Sequence, residues 1–244
     1  MENLLKYSAI LFDLDDTLLR NNADRFVKHY FKTLTPCVSG YFEETEFISL
    51  MTGATQAVLS AKRGRRTLRQ VFADYFERQS SVSFSTLEGI VKEYYHNDYL
   101  KIRQITHPVA GASAAVQAAA QLTSNLVLAT VPIFPYAAIK ERVRWAGLDS
   151  AMFSMITSYE IMHVSKPHPD YYLEICEKLD CRPSRCLMIG NDYQDDMSAR
   201  VAGLETFLVN NYALGDAENG FAPHYSGSMA ELLVFLRDSA RVDQ

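Results

Sequence analysis

Long apolar runs are missing from this sequence, and none approaches the roughly 20 residues needed to span a bilayer. The first residues, Met1–Lys6, also lack the basic start and the small-residue cleavage site of a secretory signal peptide. Excess positive charge is missing too, because the net charge is −5, and a nucleic-acid partner is therefore not expected. We expect a soluble intracellular protein whose partners include neither a membrane nor a nucleic acid.

Cysteine is scarce as well, with four residues in a chain of 244: Cys37, Cys176, Cys181 and Cys186. Their spacing is neither the Cys-x-x-Cys pattern of common metal sites nor a dense disulfide framework. We expect free thiols, which are typical of the reducing cytoplasm. The apolar fraction of 48% and the charged fraction of 22% are ordinary for a globular protein and exclude a disordered chain.

Apolar runs typical of buried strands alternate with helical patterns along most of the chain. The strand-like runs are Ala9–Phe12, Leu126–Ala129, Phe153–Thr157, Leu187–Ile189 and Thr206–Val209. The helical patterns are Ala112–Leu122, Tyr136–Trp145, Asp170–Leu179 and Asp195–Val201. This alternation predicts an α/β fold with a parallel sheet covered by helices on both faces.

Residues 20–105 have a different pattern, with no convincing strand. Their helical patterns are Asp24–Leu34, Glu43–Ser49, Ala54–Lys62, Leu68–Ser80 and Thr86–Leu100. The segment separates the first two strands by far more residues than an ordinary crossover connection does. We therefore predict an inserted α-helical domain at residues 20–105 and a core domain formed by residues 1–19 and 106–244.

Two acidic residues, Asp13 and Asp15, follow the first predicted strand. Because side chains alternate along an extended backbone, both carboxylates can share one side while Leu14 points away. Two carboxylates so close at the mouth of a core repel each other and lose hydration. Such a pair is expected to hold a cation or to perform acid–base chemistry; the alternative is a solvated acidic turn.

Polar groups also mark three later segments. Thr130 ends the second strand-like run, and Lys166 lies between turn-forming residues in the segment Ser165–Pro169. The run that begins at Cys186 is followed by Gly190, Asn191 and Asp192, and two more acids, Asp195 and Asp196, come shortly after. In an open parallel sheet, ligands bind beyond the carboxyl ends of the strands, where the winding reverses.

In their order and spacing, these four segments resemble the four motifs of the haloacid dehalogenase-like (HAD) hydrolase superfamily. The resemblance covers almost the whole chain outside residues 20–105, and that segment resembles the cap found between the first two motifs of many HAD proteins. It implies a Rossmann-like parallel sheet sandwiched by helices, with an inserted α-helical cap domain. It also implies that Asp13, Thr130 and Asp192 converge on one crevice, with Lys166 within reach.

The resemblance assigns catalytic roles to the two acids of the first motif. Asp13 is the expected nucleophile, since a carboxylate can attack phosphorus in line and form an aspartyl-phosphate. Asp15 is placed to protonate the departing alkoxide and later to deprotonate the attacking water. A dehalogenase needs no such acid, because halide leaves without a proton, and Asp15 therefore favours phosphoryl chemistry.

A hard divalent cation, for which we expect Mg²⁺, would let an anionic nucleophile approach an anionic phosphate. The resemblance implies as its ligands the Asp13 carboxylate, the Asp15 backbone carbonyl and an acid of the fourth motif, here Asp192. Because that motif usually begins Gly-Asp, Asn191 is the alternative ligand. We expect Asp196 to act through a metal-bound water molecule or to orient Lys166.

Thr130 can donate its hydroxyl to a phosphoryl oxygen, and Lys166 can balance the charge of nucleophile and phosphate. The alternatives are a strand-end threonine that bonds local backbone and a solvated lysine near a helix start. HAD proteins often carry Asn after the hydroxyl of the second motif, whereas this chain has Val131. The substitution removes a polar contact near the phosphate.

Candidate substrate contacts lie in the inserted segment. Thr52, Gly53 and Thr55 belong to a predicted polar loop, and Arg63 and Arg65 belong to a basic cluster that is either a substrate clamp or a solvated helix end.

The sequence as a whole predicts a Mg²⁺-dependent phosphomonoester hydrolase acting on a small phosphorylated metabolite. A phosphonatase, a sugar-phosphate mutase and a non-catalytic regulatory binding protein are the alternatives.

Overall fold

The computed structural model describes residues 5–241 of the chain. Its strands, in chain order, are β1 (Ala9–Phe12), β2 (Leu19–Arg20), β3 (His107–Pro108), β4 (Leu126–Leu128), β5 (Met155–Ile156), β6 (Cys186–Gly190), β7 (Glu205–Val209) and β8 (Tyr225–Gly227). Its α-helices are α1 (Ala23–Val38), α2 (Glu44–Leu59), α3 (Leu68–Gln79), α4 (Phe84–His96), α5 (Ala112–Ala119), α6 (Tyr136–Trp145), α7 (Pro169–Lys178) and α8 (Met229–Arg241). Among the helices of this part of the chain, none is long and apolar enough to cross a membrane.

Six parallel strands form the main sheet in the order β5-β4-β1-β6-β7-β8. The apolar run of β1 is fully buried because both of its neighbours are also apolar strands. The chain first winds from β1 outward to β5 and then returns to β6 on the other side of β1, so the winding reverses at β1. The predicted parallel α/β fold with an inserted helical segment is confirmed.

The register of the sheet brings the polar ends of three strands to one edge. Phe12, the last residue of β1, pairs with Leu128 of β4 and with Ile189 of β6. The residues that follow these strands therefore leave the sheet at the same level, on the side where the winding reverses. This is the edge at which open parallel sheets bind ligands.

The inserted segment is entered and left through an antiparallel pair of short strands. β2 pairs with β3, with Leu19 opposite Pro108 and Arg20 opposite His107. Between them lie α1 to α4 and a 3₁₀ helix at Asp98–Ile105, with no strand in that range. The predicted boundary at residue 20 falls in β2, and the one at residue 105 falls at the end of the 3₁₀ helix, two residues before β3. The division into two domains remains a prediction.

Two local predictions in the inserted segment are wrong. The helical patterns Glu43–Ser49 and Ala54–Lys62 form one continuous helix, α2, and the polar loop predicted between them does not exist. The apolar side of the segment explains this, because Leu50, Ala54 and Val58 recur at helical spacing and are all buried.

Candidate active site

The side chain of Lys166 lies fully buried between two carboxylates at the polar edge of the sheet. Its Nζ atom is 2.9 Å from Oδ1 of Asp13 and 2.5 Å from Oδ1 of Asp196. Burial favours the neutral form of the lysine, but the charges of Asp13 and Asp196 outweigh it and hold the pKa of Lys166 well above its usual value. The lysine is therefore a fixed positive charge between two acids.

Asp13 is buried at the end of β1. Its backbone N–H donates to the carbonyl of Ile189 at 2.9 Å, which extends the β1–β6 pairing by one residue and fixes its position. Burial raises the pKa of Asp13 to about 7, with Lys166 opposing the rise and Asp196 adding to it. The aspartate is thus held by backbone on one side and by a lysine on the other.

Asp196 shapes the turn that follows β6. One of its carboxylate oxygens, Oδ2, accepts from the backbone N–H groups of Asn191 and Asp192, at 2.9 and 3.0 Å. A Cβ atom at Gly190 would lie 2.1 Å from that same oxygen, so only glycine leaves room for the carboxylate. This turn replaces the helix predicted at Asp195–Val201, of which a 3₁₀ helix at Met197–Arg200 remains.

Asn191 and Asp192 differ in what their side chains are free to do. Asn191 is buried, with Oδ1 accepting from the Thr17 hydroxyl at 3.0 Å and Nδ2 donating to the Tyr212 carbonyl at 2.8 Å. Asp192 is partly exposed, and its Oδ1 accepts from the N–H groups of Gln194 and Asp195. Oδ2 of Asp192 makes no hydrogen bond with the residues that the structure describes. Asn191 therefore links the segments that contain Thr17 and Tyr212, whereas Asp192 has one carboxylate oxygen available to bind a ligand.

Thr130 is buried just beyond β4. Its backbone carbonyl accepts from the hydroxyl groups of Thr157 and Tyr171, at 2.9 and 2.8 Å. These contacts anchor the backbone and leave the Thr130 hydroxyl without a hydrogen-bond partner between residues 5 and 241. The hydroxyl can therefore donate to a ligand.

The sequence analysis missed Arg142, which holds Asp15. Its side chain, only 3% exposed, donates to Oδ1 of Asp15, and Asn21 donates to the same oxygen at 2.8 Å. The guanidinium carbon lies 5.1 Å from the ring centre of Phe26 in α1 and 5.6 Å from that of Phe134. Burial lowers the pKa of Arg142 but the Asp15 charge outweighs it, and the pKa lies above the usual value.

A sequence signal for Arg142 does exist. The buried residues of α6 recur at helical spacing, and position 142 falls on that apolar stripe beside Ala138 and Ile139. A charged residue on the buried face of a helix needs a partner, because an unpaired buried charge is costly. That cost identifies Arg142 as a residue paired with an acid.

The five predicted substrate contacts in the inserted segment take other places. Gly53 packs so closely against α3 that an added Cβ would lie 2.2 Å from the Tyr75 hydroxyl, and the Thr55 hydroxyl donates to its own helix at Met51. Thr52 and Arg65 are exposed. Arg63 forms an ion pair with Glu177 of α7, with one N–O distance of 3.0 Å.

These contacts do not support a substrate role for the five residues. None of the contacts that the structure gives them involves Asp13, Lys166 or Asp196. The role remains a prediction without structural support, and for Thr52, Gly53 and Thr55 the loop on which it rested is part of α2.

Comparison with known proteins identifies the chain's relatives. A family model described as haloacid dehalogenase-like hydrolase matches residues 7–203. The chain is 21% identical over 234 residues to Pyrophosphatase PpaX of Bacillus mycoides, with 95% of this chain and 98% of the relative covered.

Solved structures named as a HAD-hydrolase and as a haloacid dehalogenase share the fold of this chain. The HAD-hydrolase YfnB of Bacillus subtilis, bound to magnesium, superposes with a TM-score of 0.56 at 20% identity, covering 94% of this chain and 98% of that one. A 2-haloacid dehalogenase of Pseudomonas syringae gives a TM-score of 0.61 at 18% identity, covering 94% and 99%. At these identities the likeness shows the fold alone.

Proposed function

Because the chain belongs to the haloacid dehalogenase-like hydrolase family, we propose that it is a Mg²⁺-dependent phosphomonoesterase acting on a small phosphorylated metabolite through an aspartyl-phosphate. The observation that carries the proposal is the buried lysine bridge, in which Lys166 contacts both Asp13 and Asp196. It holds a carboxylate nucleophile and a positive charge together at the edge where a phosphate would bind.

The residues at this edge fit Mg²⁺, a hard ion that takes oxygen ligands. The Asp13 carboxylate, the Asp15 backbone carbonyl and the free oxygen of Asp192 are the donors we assign to it. Asn191 is the weaker candidate because its side-chain oxygen and nitrogen are both used by Thr17 and Tyr212. When bound, the ion would offset the negative charge of the nucleophile and the phosphate.

In the first step, an Asp13 oxygen attacks phosphorus, and the bond from phosphorus to the ester oxygen breaks. Lys166 balances charge on Asp13 and the phosphoryl group, and the Thr130 hydroxyl donates to a phosphoryl oxygen. Asp15 gives a proton to the leaving alkoxide, which departs as an alcohol. In the second step, Asp15 takes a proton from water as the water oxygen attacks phosphorus. The bond from phosphorus to the Asp13 oxygen breaks, which releases inorganic phosphate and restores the Asp13 carboxylate.

Asp15 favours phosphoester over carbon–halogen chemistry. Halide leaves without a proton, whereas an alkoxide needs an acid. The name of the sequence relative agrees with this, since Pyrophosphatase PpaX is named for hydrolysis of a phosphoanhydride. Inorganic pyrophosphate therefore belongs in any substrate panel beside sugar phosphates and other phosphomonoesters.

The test compares p-nitrophenyl phosphate with 2-chloropropionate, each with Mg²⁺ and with a chelator. We expect Mg²⁺-dependent release of nitrophenol and no chloride release. Asp13→Asn should abolish turnover while the exposed control Asp24→Asn retains it. Chloride release, metal-independent phosphate release, or a tenth of the normal rate in Asp13→Asn, about 1.4 kcal/mol in the barrier, would contradict the proposal.

A further inference from the structure

Three of the four cysteines meet at one place, although the sequence gives them no metal-type spacing. Cys176 lies in the last turn of α7, Cys181 in the connection after it, and Cys186 is the first residue of β6. The sulfur atoms of Cys176 and Cys186 are 3.8 Å apart, and those of Cys181 and Cys186 are 3.4 Å apart. All three lie within 4.8 Å of one another as free thiols.

Local backbone contacts build this cluster. The N–H group of Cys181 donates to the Cys176 carbonyl at 3.0 Å, which folds the connection back onto the end of α7. Asp180, at a φ of 49°, makes the turn that this requires. The Cys186 thiol donates to the Arg182 carbonyl at 3.3 Å, so the far end of the connection is fixed as well. The three sulfurs are therefore held by the fold.

The cluster lies at the opposite edge of the sheet from the active site. Cys186 pairs with Ala9 at the amino-terminal ends of β6 and β1, whereas Asp13 and Asp192 follow the carboxyl ends. The five residues of β6 separate the two edges by about 13 Å at ~3.3 Å per residue. Any ligand of these thiols is therefore distinct from the Mg²⁺ and the phosphate proposed for the active site.

The spacing of the sulfurs suits a single metal ion. Zinc–sulfur bonds of about 2.3 Å in a tetrahedral arrangement place sulfurs ~3.8 Å apart, and a trigonal arrangement places them ~4.0 Å apart. Distances of 3.4 and 3.8 Å, with the third no longer than 4.8 Å, need only small side-chain rotations to match. Thiolates prefer soft or borderline ions such as Cu⁺ and Zn²⁺ over Mg²⁺.

We propose that Cys176, Cys181 and Cys186 form a binding site for one thiophilic metal ion, of the class of Zn²⁺ and Cu⁺. Within residues 5–241, the cluster contains these thiols and no histidine or carboxylate. If the ion is tetrahedral, a water molecule would supply the fourth ligand. If it is trigonal, the three thiolates complete its coordination. Cys181 is the half-buried thiol of the three, so the ion would enter the site past Cys181.

Binding must release protons to solvent, because each thiol becomes a thiolate when it ligates the metal. The ion also joins the end of α7 to the start of β6, and binding should raise the melting temperature.

Cd²⁺ is the probe, titrated into the full-length reduced protein under anaerobic conditions with excess Mg²⁺ present. We expect one equivalent to bind with an ultraviolet thiolate-to-metal charge-transfer band. Cys181→Ser should weaken binding by more than about 100-fold, since loss of a ligand costs at least as much as loss of a group that only supports one. Cys37→Ser, the cysteine outside the cluster, should leave the band and the affinity unchanged.

Alkylation of the unmodified protein provides a second readout that does not depend on a variant folding. Bound Cd²⁺ should protect Cys181, the half-buried thiol of the cluster, but not Cys37, which is also half-buried, from iodoacetamide in the mass spectrum. The proposal is overturned if no charge-transfer band forms, if Cys181→Ser binds Cd²⁺ as tightly as the parent, or if Cys37 alone is protected. A protein that forms only a Cys181–Cys186 disulfide and binds no Cd²⁺ after reduction would also overturn it.

Discussion

Arg142 and Asp15 form an ion pair in which the arginine is almost fully buried while the carboxylate is 38% exposed. The guanidinium also contacts Phe26 of the inserted segment and Phe134, which follows β4 of the main sheet, so the pair lies where the inserted segment meets the rest of the chain. We infer that Arg142 positions Asp15 for its part in the proposed reaction.

Substitution Asp15→Asn should affect substrates according to their leaving groups. Sugar alkoxides need a proton as they leave, and nitrophenolate does not. We expect kcat to fall by at least about 100-fold for a sugar phosphate and far less for p-nitrophenyl phosphate, measured by phosphate release. Equal slowing of both substrates would argue against a proton-transfer role for Asp15.

Arg142→Met should preserve the fold and impair the reaction. Methionine keeps much of the buried volume, and the remaining partner, Asp15, is 38% exposed, so water can solvate its charge once the arginine is gone. Without the arginine, Asp15 loses its fixed position, and we expect kcat to fall while KM changes little. Arg144→Met, an exposed arginine of the same helix, is the matched control. Unchanged kcat in Arg142→Met would remove the positioning role.

Gly190→Ala should displace Asp196, since the new methyl group would lie 2.1 Å from its carboxylate. We expect a loss of about 1–3 kcal/mol in the free energy of unfolding and a large fall in kcat, because Lys166 loses one of its two partners. Gly40→Ala provides the control, as an added Cβ there meets no atom within 4 Å. Chemical denaturation and steady-state kinetics measure both effects; similar values for the two variants would contradict this account of the turn.

Asn191→Ala and Asp192→Ala should separate structure from metal binding. Asn191→Ala leaves the Thr17 hydroxyl and the Tyr212 carbonyl without their partner, and we expect a stability loss of about 1–3 kcal/mol. Asp192→Ala should instead raise the Mg²⁺ concentration needed for half-maximal activity. A Mg²⁺ titration in which Asn191→Ala shows the larger shift would make Asn191 the ligand.

The ends of the buried strands could be predicted from the sequence alone. Ala9–Phe12 is a local run of apolar residues, and such a run predicts a buried strand directly. The polar residues that follow it mark the end of the strand. The order and spacing of the four motifs likewise identified the family. The bounds of α2 were mispredicted because its polar and small residues conceal a continuous apolar stripe.

Long-range contacts decided the rest, because no local pattern specifies which distant side chains meet. Arg142 contacts Asp15, which lies 127 positions away in the sequence, and Lys166 contacts Asp13, which lies 153 positions away. The three thiols meet only because a left-handed turn at Asp180 folds the chain back between α7 and β6. Sequence thus determined which chemical groups are available, and tertiary packing determined their partners, since the cost of burying an unpaired charge is set by what surrounds it.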